Sequence, residues 1–236
     1  MHRLRAEIVA HRGASAYAPE NTIAAFDLAL TQGADVLELD VRPAADGHLI
    51  LVHDPTLERI AGDPRAVAAL TRTAIASLDA LTRPAGFEEF LERYARVARL
   101  LIDLKDTTPE AEEQVIEAIE RHRLRGRVVV QSFDHEALRR VREAAPWVPV
   151  APLVHGDDDP LPVLDLAAEL AGGIGIRHDA IDAELVRAVR EAGLALRAWT
   201  VDDALELERL LHLGVDAVIT NAPDVAFAAM RPAAAA

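Results

Sequence analysis

Three acidic residues fall in short apolar segments at a spacing that favours a shared site. Glu38 and Asp40 lie two residues apart in the run 35–41, and Asp103 lies in the run 99–104. Because side chains two apart on a strand point to the same face, Glu38 and Asp40 should converge. Three buried carboxylates need a neutralising cation, and oxygen ligands suit Mg²⁺ or Ca²⁺ better than zinc. We therefore predict one divalent cation, Mg²⁺ or Ca²⁺, bound by these residues.

Two histidines are the candidate acid and base. His11 follows the apolar run 7–10, and His53 follows the run 49–52. Hydrolytic cleavage requires one proton to be removed from the attacking oxygen and another to be delivered to the leaving oxygen. Histidine titrates nearest to neutral pH, so a pair of histidines can do both. Either histidine alone would more often be structural, but beside three acids the pair predicts catalysis.

Three further residues are candidates for binding substrate. Arg12 is suited to holding phosphate oxygens with its planar fork, and Lys105 with its point charge. Lys105 is equally a counter-ion for Asp103, and the two roles are compatible. Trp199 either lines a small apolar or glycerol pocket or fills the core, and both interpretations stay open, as they do for Gln131.

The elements that must position these residues follow a βα rhythm. Short β-branched or apolar runs alternate with longer amphipathic stretches, which is typical of helices around a parallel sheet. Eight strands close a (β/α)8 TIM barrel, whose active site lies at the carboxyl ends of the strands. The predicted strands are 7–10, 35–41, 99–104, 127–131, 148–153, 172–176, 194–199 and 215–219. The predicted helices are 21–32, 87–95, 109–122, 135–144, 161–171, 183–192, 203–211 and 224–230.

A ninth apolar run, 49–52, does not fit this count. It follows a turn centred on Asp46, and we interpret it as the return arm of a hairpin that extends the second strand above the barrel rim. Folding the chain back places His53 roughly opposite Leu39, between the two acids of the second strand. Without this hairpin, His53 would have no reason to lie near them.

The periodicity weakens from 54 to 86, where glycines and prolines interrupt it. We predict a short insertion over the barrel top, where loops shape substrate entry. No linker divides the chain, so a single domain, 1–236, is expected. Asn21 is well placed either to cap the first helix or to brace the site residues.

Composition restricts the class of protein. The 236 residues carry a formal net charge of -14, which disfavours nucleic acid as a partner, and no cysteine, which excludes thiolate chemistry. No signal peptide and no bilayer-spanning run is visible, so a soluble, cytoplasmic protein is expected. The sequence does not indicate an oligomeric state.

The acids have an alternative explanation, in which Arg42, Arg197 or Lys105 pairs with them in a structural ion network. Three acids at one rim, beside two histidines, form a poor arrangement for stability alone. Metal binding is therefore the preferred interpretation.

Two blocks of sequence resemble the glycerophosphodiester phosphodiesterase family. The first is His11-Arg12-Gly13 followed by Pro19-Glu20-Asn21-Thr22; the second is Glu38-Leu39-Asp40-Val41, Asp46-Gly47 and His53-Asp54. Looser matches are Val130-Gln131-Ser132-Phe133-Asp134, Ala198-Trp199-Thr200-Val201 and Gly214-Val215-Asp216-Ala217-Val218-Ile219-Thr220. The resemblance covers about residues 8 to 223.

This resemblance implies hydrolysis of small glycerophosphodiesters to glycerol 3-phosphate and an alcohol, with His11 and His53 as acid and base and Glu38 and Asp40 as metal ligands. Asp103 stands where the family usually has Glu. The alternatives are a lysophospholipase D-like enzyme acting on lipids, and a barrel that binds phosphate compounds without catalysis.

Two further departures from the family concern recognition of the alcohol. Asp202 stands where the family often has Asn, and Asn221 where it often has Asp.

Overall fold

Nine strands join into one sheet whose parallel part curls into a barrel. The computed structural model describes residues 5–106, 108–155, 158–170 and 172–230. The strands are β1 (Glu7–Ala10), β2 (Val36–Pro43), β3 (Leu49–Leu51), β4 (Thr56–Leu57), β5 (Asp63–Ala66), β6 (Arg99–Leu104), β7 (Val128–Ser132), β8 (Val150–Pro152), β9 (Ile174–Arg177), β10 (Leu196–Trp199) and β11 (Ala217–Thr220). The helices are α1 (Ile23–Thr31), α2 (Glu58–Ala61), α3 (Arg72–Ala76), α4 (Phe87–Tyr94), α5 (Pro109–Arg121), α6 (His135–Ala144), α7 (Leu161–Leu170), α8 (Ala183–Glu191), α9 (Ala204–Leu213) and α10 (Pro223–Ala229).

Eight parallel strands form the barrel wall in the order β8-β7-β6-β2-β1-β11-β10-β9. The two ends of this order meet where Leu153 bridges Gly175 in parallel. There the Val154 N–H donates to the Gly175 carbonyl at 3.0 Å, a distance typical of a sheet. The predicted eight-stranded barrel is confirmed. Strand ends differ from the predicted ones by one or two residues; position 171 of the predicted helix 161–171 and both chain ends lie outside the described residues.

Short polar residues start the helices. Thr22, Thr108, Asp134, Asp182 and Asp203 are N-caps whose side chains accept backbone N–H groups of the first turn. Each following helix buries one apolar face against the outside of the sheet, in two large apolar clusters. The barrel wall is therefore held from outside, which leaves its inner face free to carry polar groups at both ends.

The hairpin predicted after the second strand is confirmed. β3 runs antiparallel to β2, with Val41 opposite Leu51 and Pro43 opposite Leu49. Beyond the last pair, the Val52 N–H donates to the Asp40 carbonyl at 3.1 Å. The return arm therefore delivers residue 53 to the rim beside the acids of β2.

Residues 54–86 contain β4, α2, β5 and α3. They pack on the hairpin through a small apolar cluster of their own, formed by Ala44, Ile50, Val52, Leu57, Val67, Leu70 and Ile75. Within the described part of the chain, no helix combines the length and the apolar character that crossing a bilayer requires.

An apolar layer fills the middle of the barrel. It consists of Val9, Val36, Leu101, Ala217 and Ile219, with two partly buried neighbours packed against it. This layer separates a polar end at the strand carboxyl termini from a second polar end at the amino termini.

Candidate active site

Three carboxylates meet at the carboxyl end of the barrel. Glu38 and Asp40 are inward residues of β2, and Asp103 lies directly beside Asp40 on the neighbouring strand β6. One oxygen from each lies within 4.8 Å of the others, and the three residues are at most 4% exposed. The alternation of the two strands thus gathers three acids where no water can solvate them fully.

The electrostatics of this group fit a divalent cation. Asp40 Oδ1 and Asp103 Oδ1 are buried and have no hydrogen-bond partner among the described residues. Burial, followed by repulsion from the two aspartates, raises the pKa of Glu38 well above its usual value, and burial raises the pKa of Asp103 to about 7. A hard cation neutralises carboxylate groups of this kind, whose oxygens lack hydrogen-bond partners and which resist being ionised together.

The pKa of Asp40 moves in the opposite direction. Its burial favours the neutral acid, but the charges of Arg12 and Lys105 outweigh it and lower the pKa of Asp40. The Lys105 Nζ lies 3.6 Å from Asp40 Oδ1 and donates to Asp103 Oδ2 at 2.8 Å. The counter-ion role predicted for Lys105 is therefore present, and it leaves the second oxygen of Asp103 open.

The loop after β1 is shaped to reach the acids. Arg12 has a left-handed backbone, with φ 57°, and its N–H donates to Glu38 Oε2 at 2.8 Å. Gly13 follows with φ 85°, and a Cβ there would lie 2.6 Å from the backbone of Ala25. Glycine is required at this position both for its backbone angle and for the close approach of the first helix.

The Arg12 guanidinium lies between two carboxylates. Its Nη1 donates to Glu20 at 3.0 Å, and its Nε lies 3.0 Å from Asp40 Oδ2. Asn21 does not cap the first helix; that part of the prediction is wrong, because Thr22 is the cap. Asn21 instead donates from Nδ2 to Asp40 Oδ2 at 2.9 Å, which confirms the alternative that it braces the site.

His11 is held in one orientation by an amide. Its Nδ1 lies 2.7 Å from Asn221 Oδ1, and Asn221 Nδ2 donates to Asp202 at 2.6 Å. Because Asp202 only accepts, the Asn221 oxygen must face the imidazole, so Nδ1 carries the proton and Nε2 is left with a lone pair. Burial, followed by the charge of Arg12, lowers the pKa of His11 to about 4.

His53 is held instead by a carboxylate. Its Nδ1 lies 2.7 Å from Asp54 Oδ1, and Arg59 Nε donates to the other oxygen of Asp54 at 2.6 Å. The hydrogen bonds from Arg59 and His53 lower the pKa of Asp54 to about 2, so Asp54 is a carboxylate at neutral pH. Two further bonds from Arg59 reach Glu20 at 2.7 and 2.8 Å, which ties the insertion to the loop after β1.

A cavity of about 100 Å³ opens above these groups. Its lining includes seven of the eight predicted site residues: His11, Arg12, Glu38, His53, Asp103, Lys105 and Trp199. Asp40 lies behind them, in contact with the two cations. Gln131 and Phe133 also line the cavity, and Gln131 Oε1 and Trp199 Nε1 are buried without partners. These two orphaned atoms suit the hydroxyl groups of a polar ligand.

The alternative ion network is present only in part. Lys105 pairs with the acids, but Arg42 donates to the backbone carbonyl of His53 at 2.6 Å and pairs with Asp106. Arg197 lines a different cavity at the other end of the barrel. Larger cavities elsewhere on the surface lack the carboxylate cluster.

Sequence reasoning missed the groups that hold the histidines. Asp54 was visible as the neighbour of His53, but its partner Arg59 lies on a different element. Asn221 and Asp202 were noted as departures from a family pattern, and the structure shows that they hydrogen-bond to each other.

A parallel barrel with three acids, two histidines and two cations around one cavity has the make-up of a phosphoric diester hydrolase. Residues 11–225 match the model of the glycerophosphoryl diester phosphodiesterase family, and the chain belongs to that family.

Relatives match over most of the chain. Glycerophosphodiester phosphodiesterases of Bacillus subtilis and of Caldanaerobacter subterraneus subsp. tengcongensis are each 35% identical to it, over 92% of this chain and 84% and 94% of their own lengths. The crystal structure of an Agrobacterium tumefaciens glycerophosphodiester phosphodiesterase is 29% identical, with a TM-score of 0.83 over 94% of this chain and 99% of that one.

Proposed function

We propose that this enzyme hydrolyses glycerophosphodiesters to glycerol 3-phosphate and an alcohol, using one divalent cation and the histidines His11 and His53. One observation carries the proposal: two imidazoles with differently charged partners line the same small cavity as the acid cluster. The names of the relatives, which cover the same length of chain, support the substrate class.

The acids would hold the cation. Glu38, Asp40 and Asp103 would hold Mg²⁺ or Ca²⁺, both of which accept carboxylate oxygens. When bound, the ion supplies positive charge that stabilises a phosphate oxygen as negative charge develops on it. Asp103 is one methylene shorter than Glu, and its pairing with Lys105 through Oδ2 leaves Oδ1 available to the cation.

The histidines would divide the proton transfers. With Nδ1–H bound to a neutral amide, His11 offers a lone pair on Nε2 and is suited to take a proton from the attacking hydroxyl. His53, whose Nδ1 is held by the Asp54 carboxylate, is suited to protonate the departing alcohol. The attacking group is water or a glycerol hydroxyl.

The remaining predicted residues would bind substrate. Arg12 and Lys105 offset the phosphate charge in the transition state, because both cations face the cavity beside the acids. Trp199 packs edge-on against Phe133 at 5.7 Å, and Phe133 stacks on His155 at 4.3 Å. This aromatic wall suits the apolar face of a glycerol or alcohol group.

The test is release of glycerol phosphate from glycerophosphocholine. We expect turnover with Mg²⁺ or Ca²⁺, loss of turnover after chelation, and recovery when the ion is restored. Lysophosphatidylcholine assayed in parallel tests the lipid alternative. Full activity in chelator would contradict the proposed role of the cation, and binding of glycerophosphocholine without any turnover would favour a non-catalytic barrel.

A further inference from the structure

The amino-terminal end of the barrel contains a second cavity, of about 200 Å³. Residues at or just before the starts of several strands line it, and it shares no lining residue with the candidate active site. Val9 and Leu101 of the apolar layer form its inner wall, while Ile219 of the same layer lines the other cavity. The two cavities are therefore separate sites at opposite ends of one barrel.

The charge of this second cavity is the reverse of that of the protein. Arg99, Arg127 and Arg197 line it, and Glu7 is the one acidic lining residue within the described ranges. Arg99 pairs with Glu7 at 2.6 Å. Over the described ranges, neither of the other two arginines has a carboxylate within ion-pair distance. Although the chain has a net charge of -14, this cavity is thus lined by two arginines without a carboxylate partner among the described residues.

Arg197 has few partners for its guanidinium. Within the described residues it makes one hydrogen bond, from Nη1 to the Gly172 carbonyl at a long 3.3 Å. Burial lowers its pKa, and the charges of Glu7 and Asp216 only partly oppose this. Asp216 itself accepts the Leu196 N–H at 2.8 Å. Because arginine stays protonated in proteins, this is a cation with most of its donors unused.

The backbone makes room for this cation. Gly173 has φ 109°, and a Cβ at that position would lie 2.6 Å from Arg197 Nη1. Arg127 is similarly underused, since it donates from Nη2 to the Ala98 carbonyl at 2.8 Å and has no other hydrogen bond in the described part of the chain. Two guanidinium forks therefore face one cavity with donors to spare.

We infer that this cavity binds a small tetrahedral oxyanion of the phosphate class. Guanidinium forks match the oxygens of phosphate, and such charge-assisted bonds are the strong ones. This role goes beyond the proposed hydrolysis, because no group at the carboxyl end takes part in it.

The experiment measures stabilisation by inorganic phosphate. The full-length protein is freed of metal, carries Lys105→Gln to weaken anion binding at the candidate active site, and is heated with increasing phosphate or with NaCl of equal ionic strength. We expect a saturable rise in Tm with phosphate alone. Arg197→Gln and Arg127→Gln should each weaken the apparent affinity at least tenfold, and Arg187→Gln, which removes an exposed charge from α8, should leave it unchanged.

Several results would overturn the inference. The inference fails if phosphate does not raise Tm, or if it raises Tm only when Lys105 is intact. It also fails if Arg187→Gln weakens the apparent affinity for phosphate as much as the two cavity substitutions do. If Arg197→Gln does not fold, Arg197→Lys keeps the charge but loses the fork, and it should weaken phosphate binding, though by less than Arg127→Gln does. Absence of hydrolysis by the unsubstituted, cation-loaded protein, with phosphate stabilisation retained, would count against the proposed function alone.

Discussion

The two ends of this barrel carry opposite charges on the same scaffold. At the carboxyl end, Glu38, Asp40 and Asp103 are brought together by strand alternation and contacted by two cations. At the amino end, Arg127 and Arg197 face a cavity whose one acidic lining residue is already paired. An apolar layer lies between them.

The difference lies in how completely each end is supported. Each carboxyl-end acid accepts a hydrogen bond from the loop after β1 or from Lys105, which follows β6, so each side chain has a defined direction. The amino-end arginines make single bonds to backbone carbonyls. Chemistry needs fixed geometry, whereas holding a small ion needs only charge and space.

The largest expected effect tests the carboxyl end. His11→Ala and His53→Ala should each lower kcat on glycerophosphocholine by roughly 10²–10⁴-fold, the usual contribution of a general acid or base. Cation binding should persist in both variants, because neither histidine is among the acids that would hold the ion.

A substrate with a good leaving group separates the two histidines. On a glycerophosphoryl p-nitrophenyl ester, which needs little protonation of its leaving group, His53→Ala should recover most of its activity and His11→Ala should not. Equal recovery, or none in either variant, would contradict the division of roles. Near-normal turnover in either variant on glycerophosphocholine would refute the catalytic assignment itself.

Cation binding should depend strongly on pH. The pKa of Asp103 is raised to about 7 and that of Glu38 is raised well above its usual value, so protons occupy these acids where a cation would bind. We expect the apparent affinity for Mg²⁺ or Ca²⁺ to fall up to about tenfold per pH unit below pH 7 and to level off above the raised pKa values. Calorimetry in buffers of different ionisation enthalpy should detect release of protons on binding at pH 7. An affinity that is constant from pH 5 to pH 8 would rule out this competition.

A smaller effect should follow from the partner of His11. Asn221→Asp replaces a neutral acceptor by a carboxylate, which stabilises the imidazolium and should raise the pKa of His11 from about 4. The acidic limb of kcat/KM should therefore move to higher pH, with a several-fold loss near pH 5 and little loss at pH 8.

Ser15→Ala is the matched control for this substitution. It removes the 2.8 Å bond that Ser15 donates to the same amide oxygen but adds no charge, so the limb should not move. Identical profiles for both variants would mean that Asn221 has a structural role only.

The barrel and the acid cluster could be predicted because they depend on local patterns. Alternation along a strand fixes which way Glu38 and Asp40 point, and a turn at Asp46 fixes the register that carries His53 back to the rim. Position Asn21 shows the limit, since its type suits an N-cap but its left-handed backbone turns it toward Asp40 instead.

The supporting contacts could not be predicted, because they join residues far apart in sequence. Arg59 reaches Glu20 across 39 positions, and the amide of Asn221 reaches His11 across 210. The hydrophobic periodicity of the sequence does not indicate such long-range pairs. From the sequence, Arg197 is also a candidate partner for the acids. Strand alternation predicts which face of the strand a side chain lies on, but its position along the barrel axis depends on the register of the whole sheet.

The smallest expected effect compares both ends directly, in the stability of the protein without ligands. Glu38→Gln removes a carboxylate whose pKa is raised in the folded protein. Glu38 therefore destabilises the fold increasingly as the pH rises from its pKa in the unfolded chain, near 4, through its raised pKa in the folded protein. The variant should therefore be more stable by about 1 kcal/mol at pH 8 and no more stable at pH 4. Arg197→Met keeps most of the side-chain length and removes a partly buried charge that has no ion-pair partner among the described residues. Its gain should be similar in size but equal at both pH values, because arginine does not titrate in this range. Urea unfolding at pH 4 and pH 8 measures both, with Arg187→Gln as the surface control. If both variants are destabilised at both pH values, the charged side chains at the two ends stabilise the fold itself, and neither end is a preformed ion site.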